Sequence, residues 1–197
     1  IEERLVGSEM CIRDSHITCS PPLFKHKSHV PWAQVPNMVQ AVVLAGGASR
    51  RLGQPKALLP MLGGTTLSVT VERLVKFGIE TVVVIHPDLA EATDGLPCPV
   101  VINPRPDDGR TGSLHLGLTH LTSPSTDVLV CPVDRPGWDK AVLERLLAAP
   151  GEAVVPVHDG RAGHPLLVRG QALSRLAALD ADAPLREALV KRTKVEV

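Results

Sequence analysis

Tyrosine is absent from this chain, and aromatic residues make up only 2% of its 197 positions. A core without rings must be aliphatic, and a hydrophobic content of 44% is enough to build one in a domain of ordinary size. Neither sign of charge prevails, since 21 basic and 21 acidic residues leave a formal net charge of +0. That balance argues against a nucleic-acid groove or an anionic membrane surface as the main partner. Long hydrophobic runs are missing too; the longest are strand-length, which excludes a membrane-spanning helix. The four cysteines, Cys11, Cys19, Cys98 and Cys131, form no C-x-x-C pair. A zinc site or disulfide framework is therefore not expected, and a reducing cytoplasm is the expected compartment. The histidines are scattered, and His115 and His120 are badly spaced to share one helical face around a metal. Two well-known glycine loops are also lacking. No Gly-Lys-Ser/Thr tripeptide occurs, and Gly46, Gly47 and Gly53 do not fit G-x-G-x-x-G, which argues against a dinucleotide-dependent oxidoreductase.

What is present centres on Val39 to Pro60, VQAVVLAGGASRRLGQPKALLP. Ala41 to Ala45 is an apolar run that predicts a buried strand. Small residues follow, Gly46, Gly47, Ala48 and Ser49, then Arg50, Arg51, Gly53, Pro55 and Lys56. Glycines let backbone N–H groups approach phosphate oxygens, and the arginines and lysine neutralise phosphate charge. The stretch predicts a polyanion loop, read here as the holder of a nucleotide triphosphate. The alternative is a tight turn with a solvated basic face.

The segment LAGGASRRLGQPKALLP resembles the signature L-A-[AG]-G-x-[SG]-x-R-[ML]-G-x-x-K-x-L-L of GT-A-type nucleotidyltransferases. The nearest group is the molybdenum cofactor cytidylyl- and guanylyltransferase-like family, the MobA-like NTP transferases. The similarity runs from about Met38 to the C-terminus. Residues 1–37 hold Pro21, Pro22, Pro31 and Pro36, show no sustained period and lack a secretory apolar core. Ser8 to Ser15 resembles the translation of a sequencing adapter. A disordered or artefactual leader is expected over 1–37, with the domain over 38–197.

Downstream, Thr65 to Phe77 has helical spacing of Leu67, Val71, Leu74 and Val75, closed by Gly78. Thr81 to Ile85 is a β-branched run, expected to be buried on both faces of a parallel sheet. Asp88 is expected to cap a short helix, and Pro99 to Ile102 to form another short buried strand. Helices alternating with strands predict an α/β fold, a three-layer sandwich with a mostly parallel central sheet, Rossmann-like in layout.

Asn103 to Leu118 predicts a loop and then a helix opened by Gly112 and Ser113, running through Leu121 with Ser113 as N-cap. It resembles the family's segment beside the nucleotide base and sugar; a capped helix without a ligand is the competing reading. Val128 to Cys131 predicts a buried strand with Asp134 just past its carboxyl end, where ligands of open α/β sheets bind. Pro132-Val133-Asp134-Arg135-Pro136 resembles the family's P-V-D-x-P element, whose Asp is a metal ligand. Asp134 is read as an Mg²⁺ ligand or as the cap of a helix over Trp138 to Ala148, with Asp139 as the alternative ligand.

Glu152 to Val157 predicts a strand and Gln171 to Leu179 a helix. Gly160 to Pro165 resembles the family's G-x-x-G-H-P turn near the acceptor, so His164 is an acceptor contact or a turn residue. Asp182-Ala183-Pro184-Leu185-Arg186 departs from the family's D-x-G-x-R, leaving Arg186 as an acceptor contact and Asp182 as a cap of a helix over Pro184 to Lys191. Lys194 to Val197 begins a strand. The D-x-D-x-P-E-D-L segment with which family members continue does not follow, so the domain is expected to be truncated.

The resemblance implies Mg²⁺-dependent transfer of a nucleoside monophosphate from an NTP to a phosphorylated acceptor such as molybdopterin, with release of pyrophosphate. Arg51 and Lys56 stand at the family's Arg and Lys positions and are expected to stabilise phosphate charge. Nucleotide contacts are expected from Leu44, Ala45, Gly46, Gly47, Ala48, Ser49, Arg50, Lys56, Asn103, Gly112 and Ser113. Pro55-Lys56 in place of Asp-Lys resembles the cytidylyl branch, so CTP is the expected nucleotide. A sugar 1-phosphate or small phospho-acid acceptor is the nearest alternative, and a non-catalytic nucleotide-binding module the next. Nothing in the sequence sets the oligomeric state.

Overall fold

The computed structural model of the chain describes residues 39–47, 53–122 and 127–197. Its first strand, β1 (Gln40–Ala45), is buried along its whole length. Ala41, Val43 and Ala45 join one apolar cluster and Val42 and Leu44 another, so the run needs no polar alternation. A 3-10 turn at Lys56–Leu58 and a short hairpin, β2 (Pro60–Met61) with β3 (Gly64–Thr65), lead into α1 (Thr66–Lys76). Thr65 and Ser68 close the start of α1 reciprocally. Ser68 N donates to Thr65 Oγ1 at 3.1 Å, and Thr65 N donates to Ser68 Oγ at 2.9 Å. Gly78, at φ +82°, ends the helix as expected.

The chain continues through β4 (Glu80–Ile85), a 3-10 turn at Pro87–Thr93, β5 (Val100–Ile102), a 3-10 turn at Pro106–Asp108 and α2 (Gly109–Leu118). Then come β6 (Val128–Pro132), α3 (Lys140–Ala148), β7 (Ala153–His158), β8 (Arg161–Ala162), β9 (Leu166–Val168), α4 (Gly170–Ala177) and β10 (Thr193–Glu196). The main sheet runs β10-β7-β9-β6-β1-β4-β5, with β8 paired to β7. The four strands β6, β1, β4 and β5 are mutually parallel, and so are β10 and β7; β9 runs against both β6 and β7. Leu67, Val71 and Leu74 of α1 and Leu143 and Leu146 of α3 pack on one face. Leu114 of α2 and Ala172 and Leu176 of α4 pack on the other, completing three layers. A Cβ at Gly117 would collide with Val42 Cγ1 and Val84 Cγ2, so only glycine lets α2 lie this close to β1 and β4. No helix among the described residues is long and apolar enough to cross a membrane.

Several local expectations are corrected. His86, not Asp88, starts the turn at Pro87, its Nδ1 accepting from Asp88 N at 3.2 Å. The strand at Val100–Ile102 is at the sheet edge, and Ile102 is 50% exposed rather than buried. Helix α2 starts at Gly109 and ends at Leu118, so Ser113 lies inside it and does not cap it. Its first-turn donors are met from across the fold, by Ala181 O for Gly112 N at 2.9 Å and by Ala183 O for the Thr111 hydroxyl at 2.5 Å. Only Leu185–Glu187 is helical in the segment 184–191, as a 3-10 turn whose N-cap is Pro184, so Asp182 caps nothing. The carbonyl of Ala188 there accepts from Arg175 Nε at 3.1 Å.

Candidate active site

Parallel pairing of β1 with β6 sets Leu44 opposite Pro132, and the pairing extends one step further as Val133 N donates to Leu44 O at 3.0 Å. Both strands therefore deliver their following residues, Gly46-Gly47 and Val133-Asp134, to one spot beyond the sheet edge. A cleft of about 300 Å³ lies there. Leu44, Ala45, Gly46, Gly47, Lys56, Ser113 and Asp134, all anticipated, line it. Ala48, Ser49, Arg50 and Arg51 lie outside the described residues.

Lys56 reaches the cleft from a rigid base. Its carbonyl accepts from the Thr66 hydroxyl at the start of α1 at 2.5 Å and from Leu59 N at 3.3 Å. Its Nζ lies 3.4 Å from Asp134 Oδ2, with the side chains 40% and 29% exposed. Asp134 does not cap α3. That part falls to Asp139, whose Oδ1 accepts from Val142 N at 3.0 Å, and α3 begins at Lys140 rather than Trp138. Asp139 is thus occupied with the helix, while Asp134 remains turned to the cleft. The segment between them is pinned by Arg73 of α1. Its Nη1 donates to Pro136 O at 2.8 Å and Trp138 O at 2.7 Å, and its guanidinium lies 5.7 Å from the Trp138 ring centroid.

Asn103 and Gly112 do not line the cleft. Asn103 is 4% exposed and acts as a brace: Nδ2 donates to Ser113 Oγ at 3.0 Å, and Oδ1 accepts from Arg105 N at 2.9 Å. The Ser113 hydroxyl in turn donates to Gly109 O at 3.3 Å. A Cβ on Gly46 would sit 2.9 Å from that hydroxyl. Gly46 is therefore small because α2 presses on it.

Sequence reasoning missed Arg110, an arginine of α2 that lines the cleft together with Gly46 and Gly47. The signal was available, since Arg110 lies one turn before Ser113 on a segment already singled out. His164 is half-buried, and the peptide bond that joins it to Pro165 is cis. Burial is the main force lowering its pKa below 6.5; Arg110 and Arg135 push the same way and Asp134 opposes them, but His164 itself does not line the cleft. Arg186 is exposed and does not line the cleft. Cys131 is fully buried on β6 with its pKa driven upward, and Cys98 is pushed up to about 11 by burial.

Among the described residues, no group of three His, Cys, Asp or Glu side chains converges as a metal cage would require. A single carboxylate beside a phosphate-sized cleft suits a hard cation such as Mg²⁺, which takes one or two carboxylates and completes its shell with phosphate oxygens and water. The Asp134 carboxylate is paired there with the Lys56 ammonium, 3.4 Å from its Oδ2.

The MobA-like NTP transferase domain model matches residues 41–196. This chain belongs to that family. A molybdenum cofactor guanylyltransferase of Xanthomonas euvesicatoria pv. vesicatoria is 36% identical over 120 residues, 60% of this chain and 58% of that protein. Nicotine blue oxidoreductase of Paenarthrobacter nicotinovorans is 31% identical over 144 residues, 66% of this chain and 70% of that protein. The aligned stretch thus spans between 58% and 70% of these curated relatives. Among solved structures, Rv0371c of Mycobacterium tuberculosis aligns with a TM-score of 0.67 at 25% identity, covering 83% of this chain and 91% of that one. A nucleotidyl transferase of Methanothermobacter aligns with a TM-score of 0.65 at 26% identity, covering 82% and 88%. The three-layer arrangement is thus the family's fold.

Proposed function

We propose that the cleft binds a nucleoside triphosphate and transfers its nucleoside monophosphate to a phosphorylated acceptor. One observation carries this reading. Lys56 and Asp134, 78 residues apart, meet beside Gly46 and Gly47 at the carboxyl ends of adjacent parallel strands. In the transfer, an acceptor phosphate oxygen attacks the α-phosphorus, the bond to the β-phosphate breaks, and pyrophosphate leaves. Little covalent work falls to the protein, so positioning and charge neutralisation supply most of the rate. Backbone N–H groups of Gly46 and Gly47 would face the phosphates, with Lys56, Arg110 and the proposed Arg51 balancing their charge. Asp134 would hold Mg²⁺, which when bound neutralises phosphate charge. His164 and, more remotely, Arg186 are proposed on the acceptor side.

Several relatives are named as guanylyltransferases, among them the Xanthomonas protein and a probable one of Bacillus cytotoxicus, 31% identical over 136 residues. These names favour GTP over the CTP expected from the Pro-Lys loop, with molybdenum cofactor as acceptor. The test is pyrophosphate release with each of the four NTPs, Mg²⁺ and molybdopterin. GTP-dependent release is expected, and Lys56→Ala and Asp134→Ala should each lower it by about 100- to 1000-fold. Nucleotide binding without release would instead support a non-catalytic module. The oxidoreductase name of the Paenarthrobacter relative supports a second reading, although the dinucleotide fingerprint is missing. Nicotinamide absorbance changes on turnover without pyrophosphate would favour it.

A further inference from the structure

We infer that Lys56 and a divalent cation compete for the Asp134 carboxylate, so that the nucleotide, by drawing Lys56 away, opens the metal site. The inference rests on the nucleotidyltransferase reading of the cleft and adds an order to its assembly. Lys56 Nζ stands 3.4 Å from Asp134 Oδ2, both side chains open to the cleft. An exposed pair of this kind is weak and readily exchanged. The root of the lysine is fixed by the bonds of its carbonyl to Thr66 and Leu59, so only its side chain has to swing.

A divalent ion arriving at Asp134 with Lys56 in place meets a positive charge within a few ångströms. It also finds, among the described residues, no group of three His, Cys, Asp or Glu side chains to hold it. A bound triphosphate changes both conditions. Its oxygens attract the ammonium, and they supply the remaining metal ligands. Nucleotide and cation therefore bind cooperatively, and by linkage each raises the affinity of the other by one factor. In the empty protein the lysine guards Asp134 against adventitious cations.

The test is Mn²⁺ binding by the purified chain, followed by the paramagnetic resonance of free Mn²⁺, with and without a non-hydrolysable GTP analogue. Melting temperature confirms that each variant is folded. Without nucleotide, Lys56→Gln should bind Mn²⁺ roughly three- to ten-fold more tightly than wild type. The analogue should tighten Mn²⁺ more in wild type than in Lys56→Gln, by that same factor. Asp134→Asn tests the underlying reading and should lose the site. Equal Mn²⁺ affinities in wild type and Lys56→Gln, with the site lost in Asp134→Asn, overturn the competition and leave the active-site reading standing. Unchanged binding in Asp134→Asn, or none in any variant, overturns both.

Discussion

Gly46→Ala tests how α2 and the glycine turn are fitted together. The added Cβ would lie 2.9 Å from Ser113 Oγ and 3.8 Å from Ser113 Cβ, so the hydroxyl must move while the rest of the serine stays. Turning it away breaks the 3.0 Å bond from Asn103 Nδ2, whose residue is only 4% exposed. A buried donor left without its partner costs about 1–3 kcal/mol. For a domain of this size, 1 kcal/mol corresponds to roughly 2–4 °C in Tm. Gly46→Ala should therefore melt about 2–12 °C below wild type by scanning calorimetry. Ser113→Ala alone orphans the same Asn103 donor and should cost a similar amount. In the double variant the clash is gone and the donor is already orphaned, so its Tm should equal that of Ser113→Ala. The coupling energy of the cycle should then equal the whole Gly46→Ala cost, about 1–3 kcal/mol. Strictly additive losses would refute the account, since they would mean that the two side chains do not meet.

Arg73→Met should destabilise the chain by about 2–3 kcal/mol in urea unfolding, because Pro136 O and Trp138 O lose a charged donor together; Arg73→Lys, with no planar fork, should recover only part. Asp139→Ala should cost about 1 kcal/mol as a lost helix cap yet leave Mn²⁺ binding intact, whereas Asp134→Asn should do the reverse; a Mn²⁺ loss in Asp139→Ala would misplace the cation position. His164 has a folded-state pKa lowered from 6.5 by burial, Arg110 and Arg135. The unfolded chain therefore takes up the proton first as pH falls, and stability present above pH 6.5 declines below it. Denaturant midpoints measured at descending pH should show a shallower decline in His164→Gln than in wild type.

Much of this fold is legible in linear sequence because its determinants are local. The runs of β1 and β4 are apolar without alternation because both sheet faces are covered. Thr65, Ser68 and Gly78 mark the ends of α1 by their own chemistry. Asp134 is likewise placed beyond a strand by its position after Val128 to Pro132. Local reading failed where a distant group supplies a hydrogen bond. Ser113 looks like a cap in sequence, yet carbonyls of residues 181 and 183 serve the first turn of α2 and leave the serine to Asn103.

The chain order of apolar runs, caps and glycines thus determined the layers, the mostly parallel sheet and the stretches that carry the cleft. Tertiary structure alone decided that Asp134 meets Lys56, 78 residues away, whereas the cap that Asp139 gives Val142 N, three residues on, is local. It also decided that Arg110 lines the cleft, that Arg73 grips the loop behind Asp134, and that Arg169 is tied to Asp127 and to the carbonyls of Leu147 and Ala149. Arginine looks alike anywhere in a sequence. Its role follows from which carbonyls and carboxylates come within about 3 Å of a guanidinium, and chain spacing carries no record of that distance.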